Sequence, residues 1–122
     1  MLSVAIERSA EDLDLLFGAL ADSTRRAIVE RLGAGEATVT ELAAPFPISL
    51  PAISRHLKVL EHAKLITRSQ HGRWRGARLS PTSLAPAATW LAQQEQLWTE
   101  RLDRLDDHLA QRTAAEPKRG RP

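Results

Sequence analysis

The side chains with most chemistry to offer lie between Ser49 and Lys58: Ser49, Ser54, Arg55, His56 and Lys58. Hydroxyl, guanidinium, imidazole and ammonium groups this close together suit hydrogen bonding to base edges and phosphates. An element must hold them on one side. Ser49 is an N-cap residue type, and Pro51 falls in the first turn, where the backbone N–H has no intrahelical partner to lose. Ile53, Leu57 and Leu60 recur at helical spacing and mark a buried stripe. Pro51, Arg55 and Lys58 then share the opposite face, with Ser54 on its flank. Such a helix suits a major groove. An ordinary amphipathic surface helix can also carry a basic face, so the neighbouring segments decide.

Upstream, Thr38 can cap a short helix over Val39–Ala44, with Glu41 completing a capping box. Pro45-Phe46-Pro47 stops it, since proline disfavours helix in the residue before it. A short helix, a tight turn and a second helix make a helix-turn-helix. Downstream, Leu65–Gln70 alternates like a strand, His71-Gly72-Arg73 is a turn, and Trp74–Leu79 returns as a second strand. Gly72 and Gly76 read as turn residues flanking the tip. This hairpin predicts a wing, on which Arg68, Arg73 and Arg75 can grip phosphates or enter a minor groove.

Three motifs carry a family resemblance: F-G-A-L-A-D-S-T-R-R-A-I-V-E-R-L at 17–32, S-L-P-A-I-S-R-H-L-K-V-L-E-H-A-K-L-I at 49–66, and H-G-R-W-R-G-A-R-L at 71–79. Over about residues 11–112 the chain resembles the ArsR-type winged-helix repressors, small dimeric bacterial regulators. The resemblance implies a mainly α fold with a small β-hairpin wing, dimerising through its first and last helices. It implies an operator-binding repressor and leaves any effector unnamed. Metal-sensing members carry a cysteine pair in the helix before the recognition helix. The matching Glu41-Leu42-Ala43-Ala44 has none. Another family site uses Asp-x-His with a later histidine. Asp106 and His108 fit its first half, and no histidine follows, although two copies could meet across a dimer.

Charge is partitioned in the same way. The net charge is +2 over 122 residues, yet residues 49–78 hold seven basic side chains and one acidic, while residues 1–48 hold four basic and eight acidic. Local positive charge supplies much of non-specific nucleic-acid affinity. The chain has no cysteine, so disulfides and thiolate metal sites are excluded. It shows no apolar stretch of membrane-spanning length and no signal peptide, which predicts a cytoplasmic protein without membrane contacts. No nucleophile–base set or phosphate-binding glycine loop can be assembled, so an enzyme is not expected, and neither is a cofactor or a metal.

The rest of the chain predicts the supporting frame. Ser9 with Asp12 can cap a first helix over about 10–20, and Asp22 a second over 23–33 that places Ala27, Ile28 and Leu32 inward. Arg25 and Arg26 are expected to pair with acidic neighbours or touch phosphate. Pro86 can open a long helix to about Gln111, with a wide apolar stripe that includes Trp90, Leu91, Trp98, Leu102 and Leu105. With Leu13, Leu16 and Phe17 of the first helix, that stripe is the expected dimer interface. The two tryptophans could instead be core or line an effector cavity. Residues 1–112 thus form one DNA-binding and dimerisation domain, and residues 113–122 a disordered basic tail. The tail ends K-R-G-R-P, in which Arg119 and Arg121 resemble an AT-hook core or serve a generic polycation. The expected partner is double-stranded operator DNA. Alternatives are a protein–protein interaction module and an architectural A·T-preferring binder.

Overall fold

In a computed structural model, the backbone of residues 2–115 and the side chains of residues 9–114 are described. They form two compact units, which divide after residue 87. In the first unit, α1 (Leu2–Leu20) is followed by α2 (Ser23–Gly33), β1 (Ala37–Thr38), α3 (Val39–Ala43), α4 (Leu50–His62), β2 (Ile66–His71) and β3 (Trp74–Leu79). Helix α5 (Ala85–Ala115) begins at its end and makes up the described part of the second unit.

Each helix start has a local cause. Asp22 caps α2 by accepting from the Arg25 backbone N–H at 2.9 Å. Thr38 and Glu41 form the capping box of α3, each accepting from the other's backbone N–H. Ser49 caps α4 and accepts from the Ala52 N–H, with Pro51 in the first turn. At the far end of α4, Lys64 adopts a left-handed backbone with φ of 63°. The chain reverses there, and the Leu65 N–H donates back to the Leu60 carbonyl. Gly72 takes φ of 60° in the two-residue wing turn, the first central position that a type II′ hairpin reserves for glycine.

The core of the first unit gathers Leu16 and Ala19 of α1, Ile28, Val29 and Leu32 of α2, Leu42 of α3, and Ile53, Leu57 and Leu60 of α4. Leu65, Ile66 and Ala77 seal it from the sheet side. Burying a leucine or isoleucine fully is worth about 1.5–3 kcal/mol. The three α4 residues, all fully buried, therefore anchor that helix while leaving its other face to solvent.

Four expectations from the sequence change. Helix α1 begins by Leu2, so Ser9 lies inside it and is not its cap. The helix propensity of the preceding residues carries the helix through, because a serine caps only where the chain turns. The sheet has three strands in the order β1-β3-β2. Gly76 is no turn residue: it is buried in mid-β3, opposite Thr38 on one side and Ser69 on the other. Helix α5 runs on to Ala115, so residues 113–115 of the expected tail are helical. The remaining tail, with Arg119 and Arg121, lies outside the described residues. Among the described residues, no helix is long and apolar enough to cross a membrane.

Candidate nucleic-acid interface

Helix α4 presents the predicted face. Ser49, Pro51, Arg55 and Lys58 are exposed and Ser54 is half-buried, opposite the Ile53–Leu57–Leu60 stripe. The wing stands beside it. Between the N-terminal ends of α3 and α4 and the hairpin runs an open groove of about 480 Å³. Its walls include Thr40, Leu50 and Ser54 from the helices and Arg68, Arg73 and Arg75 from the wing. The structure thus brings Ser54 together with the three wing arginines expected from sequence. Thr38, Thr40 and Trp74 also line the groove and were not anticipated. The capping box held the signal for Thr38, since it fixes that hydroxyl at the N-terminal end of α3, whereas no local signal singled out Thr40. An aromatic side chain set among arginines was the signal for Trp74.

Hydroxyls, guanidinium groups and a helix N-terminus around one groove can hold an anionic backbone by charge-assisted hydrogen bonds. They leave Arg55 and Lys58 on an exposed helical face whose reach and donor geometry fit base edges or phosphates. Among the described residues that line the groove none is a carboxylate, although Glu41 stands just behind Thr38 and accepts from its hydroxyl at 2.9 Å.

His56 is placed differently. It is half-buried, and its Nδ1 turns towards α2, 3.4 Å from Arg25 Nη1 and 3.9 Å from Asp22 Oδ2. One edge of the ring is thus engaged between helices, while 22% of the side chain remains exposed. The Arg25 N–H at the cap holds the Asp22 carboxyl below the usual carboxylate range; partial burial opposes this, and the charges of Arg25 and His56 assist it. The charge of Arg25 does act on an acidic neighbour, Asp22, but the guanidinium hydrogen bonds of Arg25 and Arg26 go mainly to the end of α1. Arg25 Nε donates to the Ala19 carbonyl at 2.6 Å and its Nη2 to Gly18, while Arg26 Nη1 donates to Leu20 at 2.8 Å. Cations at a helix C-terminus satisfy carbonyls that have no intrahelical donor and complement the dipole. The two arginines therefore fasten α1 to α2.

The residues expected at a dimer interface divide. Leu16 is 3% exposed and belongs to the chain's own core, so it has almost no surface to offer a second copy. Leu13 and Phe17 are half-buried, and Phe17 packs against that core. On α5, Trp90, Leu91, Trp98, Leu102 and Leu105 are all exposed, Trp98 by 60%. Asp106 and His108 are exposed on the same helix, and no third metal-binding side chain joins them among the described residues.

Comparison with known proteins adds to this geometry. Residues 20–69 match the model of a helix-turn-helix domain family. The chain is 48% identical over 89 residues to the HTH-type transcriptional regulator Rv2034 of Mycobacterium tuberculosis, covering 73% of this chain and 80% of that protein. It is 36% identical over 76 residues to the transcriptional repressor SdpR of Bacillus subtilis, covering 62% of this chain and 84% of that one. Among solved structures, the crystal structure of an ArsR family transcriptional regulator superposes with a TM-score of 0.70 at 41% identity, covering 74% of this chain and 93% of its own.

Proposed function

The chain belongs to the ArsR family of winged helix-turn-helix, DNA-binding transcriptional regulators, and on that footing we propose that it is a homodimeric repressor of its own promoter. One observation carries the reading. The polar and basic face of α4 opens beside a groove whose far wall is three wing arginines. Such a surface can read base edges with the helix and hold the backbone with the wing. Ser49, Ser54 and Arg55 are the base-edge candidates, with Pro51 beside them, and Lys58 and the wing arginines take phosphates.

Dimerisation is supported by α5, which carries an exposed row of leucines and two tryptophans. Aromatic and large aliphatic residues of this kind dominate interface energetics. A two-fold dimer binds an inverted repeat, its recognition helices meeting major grooves about one turn, roughly 10 bp, apart. The repressing sign is supported by the name of a relative, a transcriptional repressor. Arg119 and Arg121 would add minor-groove affinity without setting the operator.

Footprinting on the DNA upstream of its own gene tests the proposal. A single protected inverted repeat is expected. Absence of any protection would favour an interaction module. Protection that follows A·T content alone would favour an architectural binder.

A further inference from the structure

The feature that DNA reading leaves unexplained is the middle of β3. Gly76 is buried between β1 and β2, and a side chain there has no room. A Cβ would stand 2.5 Å from the Ala37 carbonyl oxygen and 2.5 and 2.8 Å from Cη2 and Cζ2 of Trp74. Real Cβ atoms do not approach this closely, so the glycine is what lets the Cζ2–Cη2 edge of the indole come against the strand beside β1. Trp74 is the first residue after the wing turn, paired with His71 across the tip, and the two rings sit 5.8 Å apart. Its indole therefore reaches from beside the tip of the wing back over Gly76 in mid-strand, and it lines the groove as well. A second tie runs the same way: the Ser69 hydroxyl, opposite Gly76, donates to Glu36 at 2.7 Å, across the intervening strand.

A two-stranded ribbon on its own twists and flexes freely. Arg73 and Arg75 flank Trp74 in sequence, so whatever fixes the indole also fixes where these two guanidinium groups stand relative to α4. We infer that Trp74, seated on Gly76, is a positioning residue that holds the wing arginines over the groove, and that without it the hairpin does not bring them to the phosphates. The inference rests on the DNA-binding reading above and adds a role for two residues that need touch no DNA.

The test is a salt series of operator titrations on the full chain, with wild type, Trp74→Ala, Trp74→Phe, Gly76→Ala and the pair Arg73→Ala/Arg75→Ala. Removing the two arginines should flatten the log–log salt slope by about two units if each meets one phosphate. Trp74→Ala should lose most of that slope with both arginines still present. Gly76→Ala should lose it with the indole still present but displaced. Trp74→Phe should retain more than the alanine variant. In the Arg73→Ala/Arg75→Ala background, Trp74→Ala should cost nothing further. Circular dichroism confirms folding, and Trp74→Leu, which keeps apolar bulk without a flat ring, replaces the alanine variant if that does not fold. A full wild-type slope in both Trp74→Leu and Gly76→Ala would overturn the inference. So would an equal loss of affinity with and without the arginines, which would make the indole a DNA contact or a general stabiliser. If wild type itself shows no preference for its operator, the repressor reading fails. If wild type binds and the slope ignores Trp74, only the positioning role fails.

Discussion

Helices α4 and α5 are both amphipathic, and they manage their apolar residues in opposite ways. In α4, Ile53, Leu57 and Leu60 are fully buried within their own unit, and the outward face carries Arg55 and Lys58, with Leu50 and Val59 its only large exposed apolar residues. In α5, Ala87 is buried, but every described residue beyond it is exposed, including Trp98, Leu102, Leu105 and Leu109. Charge separates them too: residues 49–78 carry a large positive excess, whereas residues 79–112 hold three basic and five acidic side chains. The first helix is complete as a folded element and has its chemistry on the outside. The second has its hydrophobic free energy still on the outside. A reader of polyanions needs the first arrangement, and an element that joins two copies needs the second.

Breaking the buried side of α4 should give the largest effect. Leu57→Ala should destabilise the fold by about 2–5 kcal/mol, the range for deleting a leucine side chain from a packed core. Denaturant unfolding checks this, and a loss as small as a surface substitution would mean that α4 is not anchored as described. On α5, Trp98→Ala or Leu102→Ala should weaken self-association by about 2 kcal/mol, as for an interface hot spot. Sedimentation over a dilution series would show monomer appearing at higher concentrations than in wild type. Unchanged association in both variants would move the interface elsewhere.

The outward side of α4 should respond differently again. Arg55→Ala should cost about 1–3 kcal/mol on the operator if its guanidinium makes a bidentate base contact, with much less loss on scrambled DNA. Equal losses on both would reduce Arg55 to a phosphate contact. The smallest effect concerns the cap that supports α4 from behind. The Asp22 carboxyl titrates below its ordinary range in the fold, so its charged form is stabilised there. That contribution is fully present above the unfolded carboxylate range, about pH 4, and fades as the pH falls through the depressed value. Asp22→Asn keeps a capping oxygen and cannot titrate. Its unfolding temperature should therefore fall less between neutral and acid pH than that of wild type. Matching acid losses would show that other carboxyls set the acid limit.

What the sequence made legible follows the same division. Helix α4 was readable because its cap, its first-turn proline and its apolar period all agree, and each is a local signal. The capping box of α3 and the glycine of the wing turn were readable for the same reason. Features set by distant residues were not. Strand β1 has two residues, too few to show an alternation, and it exists because Gly76 lets the Ala37 carbonyl approach β3. Gly76 reads as a turn residue in the sequence because glycine signals turn and buried strand alike, and only the register separates them. His56 lies on the helix at a position that could serve either face, and its neighbours Asp22 and Arg25 stand more than thirty residues earlier in the chain. Leu16 shares the apolar period of α1 with Leu13 and Phe17, and only the tertiary fold sets it apart by burying it in the core of its own unit.

The most direct measurement is affinity for two duplexes of equal length at one salt concentration, the upstream region of its own gene and a scrambled copy. A sequence reader built on α4 and steadied by the wing should prefer the first by at least about a thousandfold, the lower end for specific regulators. Equal affinity for the two duplexes would contradict the account, leaving a basic surface that grips any backbone and reads none.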